Sequence, residues 1–138
     1  GLVGRTVVLG GEVGRGTGTG SKFTFPTQNL KPEQELLPER GVYITRTCFP
    51  GESKSHRSVT NIGMRPTFNG TALSVETHLL DFEGEIPAKR MEVRFWKRLR
   101  EEKKFSGAAE LRTQIANDSD TAHRFFNRLR KLKTAQLV

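Results

Sequence analysis

The spacing of apolar residues changes near Phe105, and this change limits the folds open to the chain. Up to about residue 100, short runs rich in β-branched and aromatic residues alternate with clusters of Gly, Pro, Ser and Asn, without a helical period. That pattern predicts a small sheet or barrel. The predicted strands cover residues 5–13, 41–47, 57–63, 73–82 and 89–99.

Two of these predicted strands have distinct faces, because successive side chains of a strand point to opposite sides of the sheet. In the segment 73–82, one face carries Val75, Thr77 and Leu79, and the other carries Glu76, His78 and Leu80. In the segment 89–99, the inward positions are Met91, Val93 and Phe95, and the outward positions are Glu92, Arg94 and Trp96. Residues 48–58 join two predicted strands and have the composition of an exposed hairpin tip or flap.

Beyond Phe105 the apolar residues recur at three, four or seven positions, as on one face of an amphipathic helix. The stripe consists of Ala108, Leu111, Ile115, Ala122, Phe126 and Leu129. Ser106 is a plausible N-cap, and Glu110 is an acidic residue in the first turns. The segment 117–120, "NDSD", is poor helix material, so a kink or break is possible there. We therefore expect a barrel at about residues 3–100 and a helix at about 106–133.

Size and composition favour one domain with an anionic partner. A chain of 138 residues fills a single domain. The net charge of +8 is compatible with nucleic acid, a nucleotide or a phosphorylated metabolite, and a solvated charged face is the simpler explanation. The single cysteine excludes an internal disulfide, and three scattered histidines give no zinc spacing. Neither a leader peptide nor a membrane span is apparent, so we expect a cytoplasmic, soluble chain.

A glycine-rich loop precedes the stretch "FPTQNL" at residues 25–30. Glycines at 14, 16, 18 and 20 would let the backbone approach phosphate oxygens with several amide donors, although composition alone slightly favours a flexible hairpin loop. The loop matches neither the P-loop nor the dinucleotide-binding pattern. Thr27 and Asn29 offer neutral oxygens suited to Mg²⁺, while an Asn that caps a turn is the alternative for position 29.

Four segments in order and spacing resemble the riboflavin kinase family, and more specifically the kinase domain of bacterial bifunctional riboflavin kinase/FMN adenylyltransferases. They read "GTGSKFTFPTQNL", "NIGMRPTFNG", "VETHLLDFEGEI" and "RLREEKKFSGAAELRTQI", and the resemblance extends over about residues 3–126. It implies a mainly β fold, a six-stranded antiparallel Greek-key barrel with a long C-terminal α-helix. It also implies that an adenylyltransferase domain of the full-length protein is absent from this chain and is its natural partner.

The resemblance implies a reaction and a set of site residues. The reaction is Mg²⁺-dependent transfer of the ATP γ-phosphoryl group to the 5′-hydroxyl of riboflavin, giving FMN and ADP. The resemblance implies that Glu76 is the catalytic carboxylate and that Thr27 and Asn29 are the metal ligands. The residues that would bind ATP phosphates are Gly18, Gly20, Ser21, Lys22 and Thr27. The candidates for flavin contacts are Arg100, Glu102 and Phe105. Thr24 and Gln28 depart from the family, which usually has Gly and Ala there.

The chemistry of phosphoryl transfer gives these residues physical roles beside the resemblance. It needs charge neutralisation, in-line positioning and an acceptor for the hydroxyl proton. Taken alone, a strand Glu such as Glu76 is ordinarily solvated. His78 either supports Glu76 or packs at the barrel mouth, and Phe105 either stacks on a flavin or closes the core beneath the helix.

Two other functions remain open from the sequence. A basic barrel that binds single-stranded nucleic acid would need interleaved aromatics on an exposed strand face, and the chain has one Trp and one Tyr. We therefore expect no nucleic acid partner and no membrane partner. The other alternative is a regulatory flavin-binding domain without turnover.

Overall fold

Six strands and one long helix make up the part of the chain that the computed structural model describes, residues 7–15, 27–32, 38–82 and 89–136. The elements are β1 Val7–Arg15, β2 Thr27–Pro32, β3 Gly41–Cys48, β4 His56–Thr67, β5 Gly70–Leu79, β6 Arg90–Arg100 and α1 Ala108–Gln136. The prediction of a mainly β fold with a long C-terminal helix is confirmed. Within the described residues, no helix has the length and apolar character needed to cross a membrane.

The strands pair antiparallel in the order β1-β2-β5-β4-β3-β6, and β6 pairs back onto β1 to close the sheet. Five of the strands correspond to the five predicted from the sequence. The strand β2 was not predicted, because "TQNLKP" lacks the β-branched pattern of a strand. Asn29 lies within β2 rather than in a turn, so the turn-capping alternative for this residue is wrong.

The barrel interior holds an apolar core and a chain of buried hydroxyl groups. The residues predicted to face inward on β6 are buried, and on β5 the face that carries Val75, Thr77 and Leu79 is the buried one. Thr60 lies at the centre of the hydroxyl chain, where its Oγ1 atom is 2.8 Å from Thr45 Oγ1 and 3.0 Å from Thr77 Oγ1. Ser58 extends the chain through contacts with Thr45 and Thr47. A strand shifted by one residue would leave these hydroxyls without partners, so they help to fix the register.

Helix α1 covers the outer face of the sheet with its apolar stripe. Ile115, Ala122 and Phe126 are buried, whereas Ala108 at the start of the predicted stripe is exposed. The helix runs without a break through "NDSD", because Asp118 and Ser119 are buried against the barrel. An outer cluster joins strand and helix residues: Val42, Ile44, Val59, Leu80, Ala122 and Phe126.

The start of α1 differs by one residue from the predicted cap. The Leu111 N–H donates to the Gly107 carbonyl at 3.2 Å, which makes Gly107 the residue whose carbonyl accepts the first helical bond. Ser106 still contributes, since its hydroxyl donates to a Glu110 carboxylate oxygen at 2.6 Å. That bond is the main reason why the pKa of Glu110 is lowered.

We predict that Thr60→Val lowers the free energy of unfolding by about 1–3 kcal/mol, because it leaves Thr45 and Thr77 each short of a hydrogen-bond partner. Thr67→Val, at the exposed end of the same strand, is the matched control and should change it by less than about 0.5 kcal/mol. Urea denaturation measures both. Equal small effects would show that the buried hydroxyl chain contributes nothing to stability.

Candidate functional site

The pairing of β2 with β5 brings together positions that are far apart in sequence. Asn29 lies opposite Glu76, and Thr27 lies opposite His78. On the other side of β5, Glu76 pairs with Asn61 of β4. Directly paired residues of antiparallel strands have Cα atoms about 4.5–5.5 Å apart. Three strands therefore contribute neighbouring positions to one row, formed by Asn29, Glu76 and Asn61.

Gly18, Gly20, Ser21 and Lys22 all lie outside the described residues, as does Thr24. Gln28 pairs with Thr77 between the two candidate metal ligands. The roles proposed for the loop from the resemblance therefore stay predictions.

Glu76 is half-buried on the outer face of β5, and its surroundings favour the protonated form. Burial raises the pKa of its carboxyl, and the negative charge of Glu102 adds to this effect. The positive charge of Arg65 opposes it. A carboxylate with a raised pKa is a stronger base than an ordinary surface Glu, so this side chain suits proton acceptance from an alcohol.

A small cavity lies between the outer face of the sheet and the first half of α1, with a volume of about 50 Å³. Arg100 and Phe105 both line it, as the flavin candidates of the sequence analysis. The rest of the wall combines apolar and polar groups: Val42, Val59, Asn61, His78, Lys103, Leu111, Ile115 and Asp118. The cavity is far smaller than the 300–1,000 Å³ typical of ligand pockets, so a ring-sized ligand would have to widen it.

Arg100 fixes one wall of this cavity by binding Asp118 of α1. Its Nε atom is 3.0 Å from Asp118 Oδ1, and its Nη2 atom is 2.8 Å from Asp118 Oδ2. Gln114 donates a further hydrogen bond to Asp118 Oδ1 at 3.0 Å. Asp118 is almost fully buried, and Arg100 keeps about a fifth of its side chain exposed. The guanidinium of Arg100 is thus held by the helix at the cavity edge.

Glu102 does not line the cavity but lies beside it against Gly63. A side-chain carbon at position 63 would overlap the Glu102 carboxylate, so glycine there makes room for this group. Arg40 donates from Nη2 to Glu102 Oε1 at 2.8 Å. Of the three flavin candidates, Arg100 and Phe105 therefore line one cavity, and Glu102 occupies a neighbouring position from which its charge acts on Glu76.

Asn61 was assigned no role from the sequence, yet it belongs to both features of the site. It pairs with Glu76 in the strand register and also lines the cavity. Its Oδ1 atom is buried without a hydrogen-bond partner among the described residues. An unpaired buried acceptor is costly, which points to a ligand donor or cation at this position. The signal in the sequence was a polar amide at position 61, on the same face of β4 as the apolar Val59.

The described residues contain no cluster of three or more His, Cys, Asp or Glu side chains able to hold a metal ion. The oxygen donors available in the row are amides and one carboxylate, namely Asn61 and Glu76 with the position of Asn29 beside them. Hard oxygen donors of this kind fit Mg²⁺, which takes few protein ligands and keeps several waters.

His78 stays neutral at physiological pH. It lines the cavity, and burial lowers its pKa to about 4, although the charge of Asp118 partly offsets the effect. The histidine is therefore unsuited to bind phosphate through a positive charge near neutral pH. This position at the cavity wall is compatible with the packing role considered from the sequence.

We predict that His78 makes the protein sensitive to mild acid. Its folded pKa of about 4 lies below its ordinary value of 6.5, so between these values the unfolded chain binds a proton that the folded chain does not. Stability therefore falls as the pH is lowered from 7 to 5, by about 2 kcal/mol from this residue. Urea unfolding at both pH values should show a loss smaller by that amount in His78→Gln. Identical losses in variant and wild type would contradict the assignment.

The chain is similar to known proteins over most of its length. Residues 3–126 match the riboflavin kinase (flavokinase) family. A Haemophilus influenzae bifunctional riboflavin kinase/FMN adenylyltransferase is 35% identical over 126 residues, covering 91% of this chain and 41% of that protein. The chain spans about two fifths of the length of the curated relatives that it matches.

Solved structures share the fold. A Streptococcus pneumoniae chain described as a macrolide-efflux protein superposes with a TM-score of 0.76 at 25% identity, over 88% of this chain and 40% of that one. Riboflavin kinase from Trypanosoma brucei gives a TM-score of 0.59 at 17% identity, over 91% of this chain and 82% of that one. The match to the family extends through every element of the barrel and into the helix, and the chain belongs to the riboflavin kinase family.

Proposed function

We propose that this chain is a riboflavin kinase that transfers the γ-phosphoryl group of ATP to the 5′-hydroxyl of riboflavin, giving FMN and ADP. The observation that carries the proposal is the row formed by Asn29, Glu76 and Asn61 on three adjacent strands. It sets a half-buried carboxylate of raised pKa beside the position of a candidate metal ligand, in a chain of this family.

In this proposal Glu76 accepts the proton of the riboflavin 5′-hydroxyl as the oxygen attacks the γ-phosphorus. The bond from the hydroxyl oxygen to phosphorus forms, and the bond from phosphorus to the β–γ bridging oxygen breaks, leaving ADP. Burial supports the role, because a raised pKa brings the carboxylate nearer to the basicity that proton abstraction requires. Glu102 contributes by keeping a second negative charge nearby.

Thr27 and Asn29 are proposed to hold Mg²⁺, and Asn61 is added as a candidate because its buried amide oxygen lacks a partner among the described residues. The ion supplies charge neutralisation for the phosphate chain when it is bound. The backbone around Gly18, Gly20 and Ser21, with the ammonium group of Lys22, is proposed to bind the phosphates of ATP.

The flavin is proposed to bind at the cavity edge, where Arg100 and Phe105 meet and Glu102 lies beside them. Phe105 offers a ring face for stacking, and Arg100 offers hydrogen-bond donors already oriented by Asp118. The present volume of about 50 Å³ is too small for a flavin ring, so we propose that the segment 101–107, which has no regular secondary structure, moves outward on binding.

We extend the proposal to the domain organisation. The chain would be one kinase domain covering residues 1–138, and its barrel would be the Greek-key barrel of the family, supported by the pairing of β2 with β5 and of β3 with β6. The bifunctional relatives support an adenylyltransferase domain as its partner in a longer protein.

The direct test is incubation of the purified protein with riboflavin, ATP and Mg²⁺, followed by chromatography for FMN. We expect FMN and ADP in equal amounts, with no product when Mg²⁺ is removed by a chelator. Riboflavin binding without FMN formation would contradict the kinase proposal and favour a flavin-binding domain without turnover.

We predict that Glu76→Gln lowers the rate of FMN formation by roughly 10² or more, the scale of a lost general base, and leaves ATP affinity nearly unchanged. Glu12→Gln is the matched control, since Glu12 is exposed on β1, a strand that does not adjoin β5. Single-turnover kinetics and nucleotide titration measure the two effects. An unchanged rate in Glu76→Gln would remove this residue from the reaction.

A further inference from the structure

Three arginines form a continuous row across the outer face of the sheet, away from the cavity beside Arg100. Arg46 of β3 lies directly opposite Arg57 of β4 and directly opposite Arg94 of β6. Like charges placed opposite each other in a sheet destabilise it, because their side chains stand about 5 Å apart. The chain carries a net charge of +8, and the strand register brings part of that positive charge together in one place.

This row forms the floor of a groove of about 430 Å³ beside the last turns of α1. The described residues that line it are Arg46, Ser55, Arg57, Arg94, Trp96, Phe126, Leu129, Arg130 and Lys133. Five of these side chains are cationic, and none is acidic. The volume lies within the 300–1,000 Å³ range of small-molecule sites.

Contacts with neighbouring side chains fix the positions of two of the arginines, Arg46 and Arg57. The guanidinium carbons of Arg46 and Arg57 lie 4.6 Å and 5.5 Å from the ring centre of Phe126. Arg46 also donates to Ser55 Oγ at 3.0 Å, and Arg57 donates to His123 Nδ1 at 3.0 Å. Two cations therefore share one aromatic ring in a partly buried groove, a preorganised arrangement for an anion.

The electrostatics of Arg46 agree with this geometry. Burial lowers its pKa, and the neighbouring charge of Arg57 lowers it further. Both causes destabilise the positive charge of Arg46 in the folded protein. An anion bound in the groove would reduce the repulsion between Arg46 and Arg57.

We propose that this groove is a binding site for a small anion with two or more closely spaced phosphate groups. The planar guanidinium group matches phosphate geometry with paired hydrogen bonds, and adjacent strands space the row of cations about 5 Å apart. The apolar wall formed by Trp96 and Leu129 lowers the local dielectric, which strengthens the attraction to an anion.

The groove is separate from the cavity beside Arg100. The groove and the cavity beside Arg100 share no lining residue among those described, and they lie at opposite halves of α1. Balancing the helix dipole would account for Lys133 in the last turn. It does not account for Arg46, Arg57 and Arg94, which lie on strands. Glu92 neutralises part of the Arg94 charge through a 2.9 Å ion pair but does not line the groove.

The test uses the single tryptophan of the chain as a local reporter, since Trp96 lines the groove. Inorganic pyrophosphate, added without Mg²⁺ to the purified protein, should change tryptophan fluorescence with a saturable binding curve. Sodium chloride at equal ionic strength should not reproduce the curve. A response to chloride equal to that of pyrophosphate, or no saturable response, would overturn the proposal.

Arginine variants locate the binding. Arg46→Gln and Arg94→Gln should each weaken pyrophosphate binding about tenfold or more, the scale of a lost charge-assisted hydrogen bond. Arg128→Gln, an exposed helix position outside the groove lining, should stay within about twofold. Thermal unfolding without ligand shows whether each variant folds. If Arg46→Gln does not fold, the affinity of Arg94→Gln for pyrophosphate is the test. Equal affinities in all three variants would contradict the assignment.

A nucleic acid ligand is distinguished by a final titration with a short single-stranded oligonucleotide. We expect it to bind more weakly per phosphate than pyrophosphate, because the groove has a volume of only about 430 Å³ and holds few phosphates of a longer chain. Saturation of the Trp96 signal by the oligonucleotide at lower phosphate concentration than by pyrophosphate would overturn the small-anion proposal.

Discussion

The buried ion pair between Arg100 and Asp118 sets the relation of the helix to the barrel. Charge burial is expensive, and it is offset here by two short bonds from one guanidinium and by a third bond from Gln114. The pair joins Arg100, the last residue of β6, to Asp118 in the first half of α1, so it fixes the position of the helix relative to the strand end. Because both partners also line the cavity, the contact that docks the helix shapes the candidate site.

The same strands serve two environments because their side chains alternate. Inward residues of β3, β4 and β5 supply the buried hydroxyl chain and the apolar core, which hold the register. Outward residues of these strands supply Glu76, Asn61 and His78 at one end of the helix and Arg46 and Arg57 at the other. A register shift of one residue would therefore disturb the core and both outer surfaces at once.

Much of the fold could be predicted from the sequence because its elements carry strong local patterns. Runs of β-forming residues identified five strands, alternation separated the faces of two of them, and the apolar stripe identified α1. Strand β2 could not be predicted, since "TQNLKP" becomes a strand only through pairing with β1 and β5. The possible break at "NDSD" did not occur, because Asp118 finds its partner Arg100 18 residues away along the chain. Local propensity was overridden in both cases by contacts between distant segments.

The candidate site could be predicted in its residue types but not in its geometry. The family resemblance named Glu76, Arg100 and Phe105, while the neighbours of Glu76 follow from strand register, which the sequence does not display. Asn61 and the packing of Glu102 against Gly63 became visible only in three dimensions. The row of three arginines has the same origin, because its members are separated in sequence and adjacent in the sheet.

Hydrogen exchange of the α1 backbone amides in Asp118→Asn tests the docking role of this ion pair most directly. The substitution keeps the shape of the side chain and removes its charge, so Arg100 is left partly buried without its counter-ion. We expect amides in the first half of α1 to exchange about tenfold faster or more than in the wild type, while Asp120→Asn, an exposed neighbour, leaves them unchanged. Equal protection of these amides in both variants would contradict the account.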